Sequence, residues 1–271
     1  MPGEFHNPRG TLYYRRAGRG PCVILCHALG TDSTLWAHAV RALSRTYTVI
    51  TYDLRGHGNS PPAADHDYSF EAMADDVREL LEHQRLERVS VVGISVGGEV
   101  AQMFAARHAH LVQRLVLCST ACVTEPARAG LWEQRISAVA SEGMQFIAAM
   151  STERWFTARF RKRHPHIVEG YRRRLSRLHP EVYVAMARTI QRMDLRPAIR
   201  IISCPTLVVY GNEDHNTGAA AAATIAQNIT GARVSEISAT AHFPNLEAPR
   251  RFNHTLLEWL GQKSLLSDTP G

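Results

Sequence analysis

Short runs of wholly apolar, mostly β-branched residues recur along the chain, separated by longer stretches in which apolar positions return every three or four residues. The short runs are Val23–Cys26, Thr48–Tyr52, Val89–Val92, Leu115–Cys118 and Thr206–Tyr210. They lack the polar alternation of a half-exposed strand, so they predict strands covered on both faces. Val234–Ile237 predicts one more. The longer pattern predicts helices over Glu71–His83, Gly98–Arg107, Ala219–Gln227 and Pro249–Leu260, the last opening on a proline suited to a first helical turn. Strands and helices in alternation are the mark of βαβ units, hence an α/β fold with a mostly parallel sheet and helices on both faces.

Between about Val123 and Arg196 the strand signal stops, and helical periodicity with dense arginine replaces it. Strand character resumes near Ile201. The expected organisation is therefore a sheet-bearing core made of residues 1–122 and 197–271, with residues 123–196 inserted in it as a helical cap.

Composition narrows the function classes. At 271 residues with 45% hydrophobic and 21% charged positions, the chain has ordinary globular values. No stretch approaches the roughly 18 uninterrupted apolar residues of a membrane-spanning helix. The opening Met1–Arg9 has no apolar segment that would serve as a signal peptide, so the expectation is a cytoplasmic protein without a membrane partner. None of the five cysteines stands at the two-residue spacing of redox or zinc motifs, which predicts buried free thiols. Among the fourteen histidines, the pairs His108/His110 and His164/His166 lack a third ligand at suitable spacing, so neither metal nor cofactor is expected. The net charge of +6 gathers in Arg154–Arg177, where Glu169 is the one acid. Without interleaved stacking aromatics this run predicts a solvated helix face rather than a nucleic-acid surface, and the expected partner is a small anionic substrate. A homo-oligomer stays open.

The chemistry concentrates at the ends of the predicted strands, where open parallel sheets bind ligands. Directly after Val89–Val92 comes Gly93-Ile94-Ser95-Val96-Gly97, a serine between two glycines at a strand-to-helix turn. Such an elbow lifts the Ser95 hydroxyl to where a base and a carbonyl can reach it. A serine hydroxyl is a poor nucleophile at neutral pH and needs a base, which in turn needs a carboxylate to hold its tautomer. Asp214, Glu213 and Asp53 compete for the acid. Asp214 is favoured because it follows the glycine-led turn after Tyr210, whereas Asp53 begins the loop Asp53–Ser60, which reads as structural. His242 competes with His27, His57 and His215, and it alone lies between the last strand and the last helix. Acyl chemistry further needs N–H donors aimed at the oxyanion, worth about 3 kcal/mol each. The Val96 N–H at the helix start and the Leu29 N–H in the loop His27–Gly30 are the expected pair.

These motifs together resemble the α/β-hydrolases over nearly the full length of the chain, through His27–Gly30, Asp53–Ser60, Gly93–Gly98, Asp214 and His242–Pro249. More narrowly, the chain is similar to 3-oxoadipate enol-lactonases through Leu29–Asp32 with Trp36, Trp132–Arg135, Ser141–Met144, Arg154–Thr157 and Asp194–Pro197. The resemblance implies the α/β-hydrolase fold, an acyl-enzyme formed on Ser95 and a small lactone or ester substrate bearing carboxylates. Arg135 would then be a carboxylate partner and Trp155 a pocket wall. Ala28 replaces the usual glycine of the oxyanion loop, Val96 the more frequent methionine, and Gly218 a common proline. None of these removes a catalytic group, so they bear on the acyl pocket and the substrate. A general carboxylesterase and a hydrolase of carbon–carbon bonds in ring-cleavage products remain alternatives, with a weakly catalytic ligand receptor or a cofactor-free oxygenase further off.

Overall fold

In the computed structural model, which describes residues 1–7 and 9–261, eight strands form one sheet. They are β1 (Pro2–Asn7), β2 (Gly10–Ala17), β3 (Cys22–Cys26), β4 (Thr48–Tyr52), β5 (Val89–Ile94), β6 (Val112–Cys118), β7 (Thr206–Gly211) and β8 (Arg233–Ile237). Their order across the sheet is β1-β2-β4-β3-β5-β6-β7-β8. The ladders from β4 through β8 are parallel, while β2 runs antiparallel to both β1 and β4. Strand order reverses at β3, which has β4 on one side and β5 on the other, and a crevice opens at such a reversal.

Helices of the core are α1 (Ala37–Leu43), α2 (Phe70–His83) and α3 (Val96–Arg107). Between β6 and β7 come α4 (Pro126–Ser141), α5 (Gly143–Trp155), α6 (Ala158–Arg163), α7 (Pro165–Ser176), α8 (Pro180–Gln191) and the short α9 (Arg196–Ile199). After β7 come α10 (Ala219–Asn228), α11 (Pro244–Glu247) and α12 (Pro249–Gly261).

Every residue of β3, β4 and β5 is buried, and their alternate side chains part to two faces. Ile24, Val91, Leu115 and Val208 pack with Leu80 of α2, Phe104 of α3 and Ile225 of α10. Val23, Val92, Val116 and Val209 pack with Leu43 of α1 and with Phe252 and Leu256 of α12. Each such side chain contributes about 1.5–3 kcal/mol by leaving water, which is why the central strands carry no polar face.

β1 and β2 escape the apolar-run signal because neither is buried along its length: β1 is an edge strand, and β2 lies next to it between β1 and β4. β1 alternates exposed and half-buried positions, and in β2 only Leu12 is buried. One-sided cover asks for alternation, and the Tyr13-Tyr14-Arg15-Arg16 stretch hides even that.

The segment between β6 and β7 leaves and re-enters the sheet at one point. Val123 and Asp194 form an antiparallel bridge, the Thr124 N–H donates to the Met193 carbonyl at 2.9 Å, and the Leu195 N–H donates to Cys122 at 2.7 Å. Prolines open α4, α7 and α8, where a missing N–H costs nothing, and the Thr157 side chain caps α6 by accepting the Phe160 N–H. The arginine run does not act as one face. Arg161 donates to the carbonyls of Glu153 and Phe156, Arg174 pairs with Asp32 at 2.8 Å, and Arg172 and Arg173 stay exposed. All five cysteines are free thiols, four of them buried. Among the described residues, no helix is long and apolar enough to cross a membrane.

Candidate active site

Close packing makes the turn from β5 into α3 a demanding one. A Cβ on Gly93 would stand 2.1 Å from the Gly97 carbonyl oxygen, and one on Gly97 would stand 2.3 Å from that of Cys26. Only glycine allows this approach of backbone to backbone. Ser95, between them, sits at φ 54° and ψ −127°, a conformation that costs a residue with a Cβ about 1–3 kcal/mol. Hydrogen bonds hold it there: the Ser95 N–H donates to Cys118 at 3.0 Å, and its carbonyl accepts from Gly98 N–H at 2.7 Å and from the Thr120 hydroxyl at 2.8 Å. The side chain is half-buried and borders a pocket.

The sheet order sets the remaining groups in a row along one edge. Leu29 follows β3, next to β5; Asp214 follows β7; His242 follows β8. The Asp214 turn is closed by its N–H donating to Gly211 at 3.0 Å. The His242 loop is fastened by the Ala241 N–H, which donates to Glu247 at 2.8 Å. His242 Nδ1–H donates to Asp214 Oδ2 at 2.9 Å. On its other oxygen Asp214 accepts the N–H groups of Asn216 and Thr217 at 2.9 and 3.0 Å. Burial works to raise the Asp214 carboxyl, but the charge and hydrogen bond of His242 with those from Thr217 outweigh it and hold the group down at about 2.

Thr217 was not foreseen from sequence. Its hydroxyl lies 2.7 Å from Asp214 Oδ2, 2.9 Å from the Ser119 carbonyl and 3.1 Å from His242 Nδ1. A threonine three residues after the acid was the available signal, since it can return a hydroxyl to that carboxylate.

The competing residues are committed elsewhere. Asp53 accepts the N–H groups of Ser33 at 2.7 Å and Asn59 at 2.9 Å, binding two loops together. Glu213 and His215 are exposed. His27 is buried; its Nε2 accepts the Leu54 N–H at 2.8 Å, and its Nδ1–H donates to the Ala28 carbonyl. Burial, then the adjacent His27, push His57 down to about 3, so its ring is neutral.

Loop geometry around Leu29 follows from Thr31, whose N–H and hydroxyl both donate to the Ala28 carbonyl at 3.1 and 2.7 Å, and from Gly30 at φ 73°. Among the described residues, neither the Leu29 N–H nor the Val96 N–H has an acceptor. The Val96 group is the first of α3, at the positive end of the helix.

Leu29, Ser95 and His242 border one pocket with Trp155 and Arg135. Arg128, Arg154 and Glu99 also border it, and the sequence had not assigned them to a site. Arg135 is half-buried and its guanidinium lies 4.5 Å from the Trp132 ring centroid. Burial, then the like charge of Arg154, push Arg135 down to about 10. Burial and the charge of Arg128 likewise lower Arg154. Arg128 turns to the Asn216 side chain at 2.9 Å. No carboxylate pairs with Arg128, Arg135 or Arg154 among the described residues. Nor does any group of three His, Cys, Asp or Glu side chains there form a metal site.

Comparison with known proteins adds to this geometry. The family model described as "alpha/beta hydrolase fold" matches residues 21–192. The chain is 31% identical to 3-oxoadipate enol-lactonase 2 of Acinetobacter baylyi over 237 residues, 87% of each chain. The solved enol-lactonase from Burkholderia xenovorans LB400 superposes with a TM-score of 0.87 at 33% identity, covering 93% of this chain and 97% of that one. A malate-bound thermophilic esterase from Thermogutta terrifontis gives 0.88 at 29% identity, covering 96% and 98%.

Proposed function

Because the chain belongs to the α/β-hydrolase family, we propose that it is a serine hydrolase of small lactones or esters that bear a carboxylate, of the 3-oxoadipate enol-lactone kind. Ser95, His242 and Asp214 are its triad. His242 Nε2 takes the proton of the Ser95 hydroxyl as its oxygen bonds to the acyl carbon, and the N–H groups of Leu29 and Val96 receive the oxyanion. Collapse breaks the acyl–oxygen bond, and the proton passes from His242 to the leaving oxygen. Water then adds to the acyl-enzyme by the same route and frees the acid. Asp214 keeps the Nδ1–H tautomer and steadies the imidazolium. Residues 123–196 act as the cap that encloses the substrate.

The substrate class rests on one observation: Arg135 and Arg154 are half-buried side by side, without a carboxylate partner among the described residues, in the pocket that Ser95 and His242 border. Two like charges held together in a partly dry site lack a counter-ion, and an anionic substrate supplies one through charge-assisted hydrogen bonds. The relatives are consistent with that chemistry, since two are enol-lactonases and a third was crystallised with a dicarboxylate, malate.

A competition between a carboxylate-bearing enol-lactone and p-nitrophenyl acetate tests the reading. We expect kcat/KM to favour the anionic substrate at least about tenfold, with activity and fluorophosphonate labelling both lost in Ser95→Ala. Equal or reversed preference rejects the anionic substrate, and turnover by Ser95→Ala at the parent rate rejects the mechanism.

A further inference from the structure

We propose that Glu99 is a specificity-determining residue, a neutral carboxylic acid that donates a hydrogen bond to an acceptor oxygen of the substrate in the pocket that Ser95 borders. The inference rests on the proposed hydrolysis of an anionic ester or lactone at Ser95.

Glu99 lies in the first turn of α3, four residues after Ser95, and borders the same pocket. Both side chains therefore face the space a bound substrate would fill. Every residue of α3 from Val96 to Ala106 is buried, and Glu99 is the charged residue type among them. The residue is 4% exposed, and its Oε2 is sealed from solvent without a partner among the described residues. An unsatisfied buried oxygen costs about 1–3 kcal/mol, a cost that persists in proteins mainly where a ligand or a function answers it.

The surrounding charges decide which form Glu99 takes. No cation lies within ion-pair distance of it among the described residues. Arg128 is the charge that acts on it, yet that guanidinium is directed at Asn216. Burial therefore prevails and pushes the Glu99 carboxyl up to about 8. A neutral acid carries one O–H donor. The arginines attract an anion, and a neutral acid beside them adds a donor without repelling it. A carboxylate or carbonyl oxygen of the substrate can accept that O–H.

Two methyl esters of matched chain length read this out: monomethyl glutarate, which carries a distal carboxylate, and methyl valerate, which does not. Glu99→Met keeps the volume and removes the donor. It should lower kcat/KM for monomethyl glutarate at least about tenfold, mostly through KM, and leave methyl valerate within about twofold. Glu99→Gln keeps a donor and should hold both within about threefold of the parent. An infrared difference spectrum of parent against Glu99→Gln at pH 7 should show a protonated carboxyl band, a result that stands even if Glu99→Met fails to fold. Equal loss on both esters, no loss on either, or an ionised band overturns the role of Glu99. A parent that hydrolyses methyl valerate but not monomethyl glutarate refutes the anionic-substrate reading instead.

Discussion

Thr157 donates its hydroxyl to Glu247 at 2.6 Å, and this contact ties the helical segment to the loop that carries His242. Glu247 Oε2 also accepts the Thr157 N–H at 3.1 Å, while Oε1 accepts the N–H of Ala241, next to His242. The Thr157 hydroxyl in turn accepts from Phe160 and caps α6. Thr157→Val should lose cap and bridge together, about 1–2 kcal/mol, seen as a fall of several degrees in Tm. Glu247→Ala should lower kcat as well as Tm, because the His242 loop loses its fastening. An unchanged kcat would show that the loop is held by its other contacts.

Asp214→Asn should lower kcat by about three to four orders of magnitude with little change in KM. An amide in place of the carboxylate can present its NH2 to Nδ1 and favour the wrong imidazole tautomer. Thr217→Val removes one hydroxyl from the same carboxylate and should cost about tenfold. If both variants lose activity equally, the threonine does more than support the acid.

Arg135→Met and Arg154→Met should each reduce kcat/KM for a carboxylate-bearing ester by about 10- to 100-fold and leave a neutral ester nearly unaffected. Stability should move the other way. Each substitution removes one of two like charges that burial already disfavours, so Tm should hold or rise without ligand. A fall in Tm in both variants would mean that the arginines serve packing before binding.

The pH dependence of stability should carry the signatures of Glu99 and Asp214. The Glu99 carboxyl is raised from 4.5 to about 8 in the folded state, so the folded chain holds a proton that the unfolded chain has released. Stability then falls as pH rises from about 4.5 to about 8, by a few kcal/mol, and Glu99→Gln removes that fall. Asp214 has the opposite sign. Lowered from 3.8 to about 2, it adds stability that is present above 3.8 and is lost as pH drops toward 2, a loss missing from Asp214→Asn. Urea denaturation of the parent and both variants across pH 2–9 measures the two limbs.

Ser95→Gly should be more stable than Ser95→Ala by about 1 kcal/mol, because glycine adopts φ 54° freely and alanine keeps the strain. Both lack the nucleophile. Equal stability would mean that the elbow is not strained in solution.

Much of the fold was legible because burial on both faces leaves its trace in a strand. Each of β3 to β7 contains one of the short apolar runs, in β6 only its second half Leu115–Cys118, and five of the eight strands follow from that one signal. β1, β2 and the short α1 were missed: β1 at the sheet's edge and β2 beside it have little buried surface, and α1 buries only Ala39 and Leu43. Ser95, Asp214 and His242 were singled out by position relative to strands, and His242 meets Asp214 at 2.9 Å. Leu29, Trp155 and Arg135 border the same pocket as Ser95 and His242.

The chain by itself determined the strand-to-helix elbow at Ser95 and the chain order in which Ser95, Asp214 and His242 follow β5, β7 and β8, since both depend on local backbone chemistry and the burial pattern of each element. Tertiary structure alone decided that Arg128 on α4 and Arg154 on α5 join Arg135, that Glu99 is sealed beside them and that Thr217 reaches Asp214 and Ser119. Hydrophobic periodicity records which side of an element is covered, not which distant side chains meet there. Charged groups acquire their unusual states only when packing removes their water and chooses their neighbours.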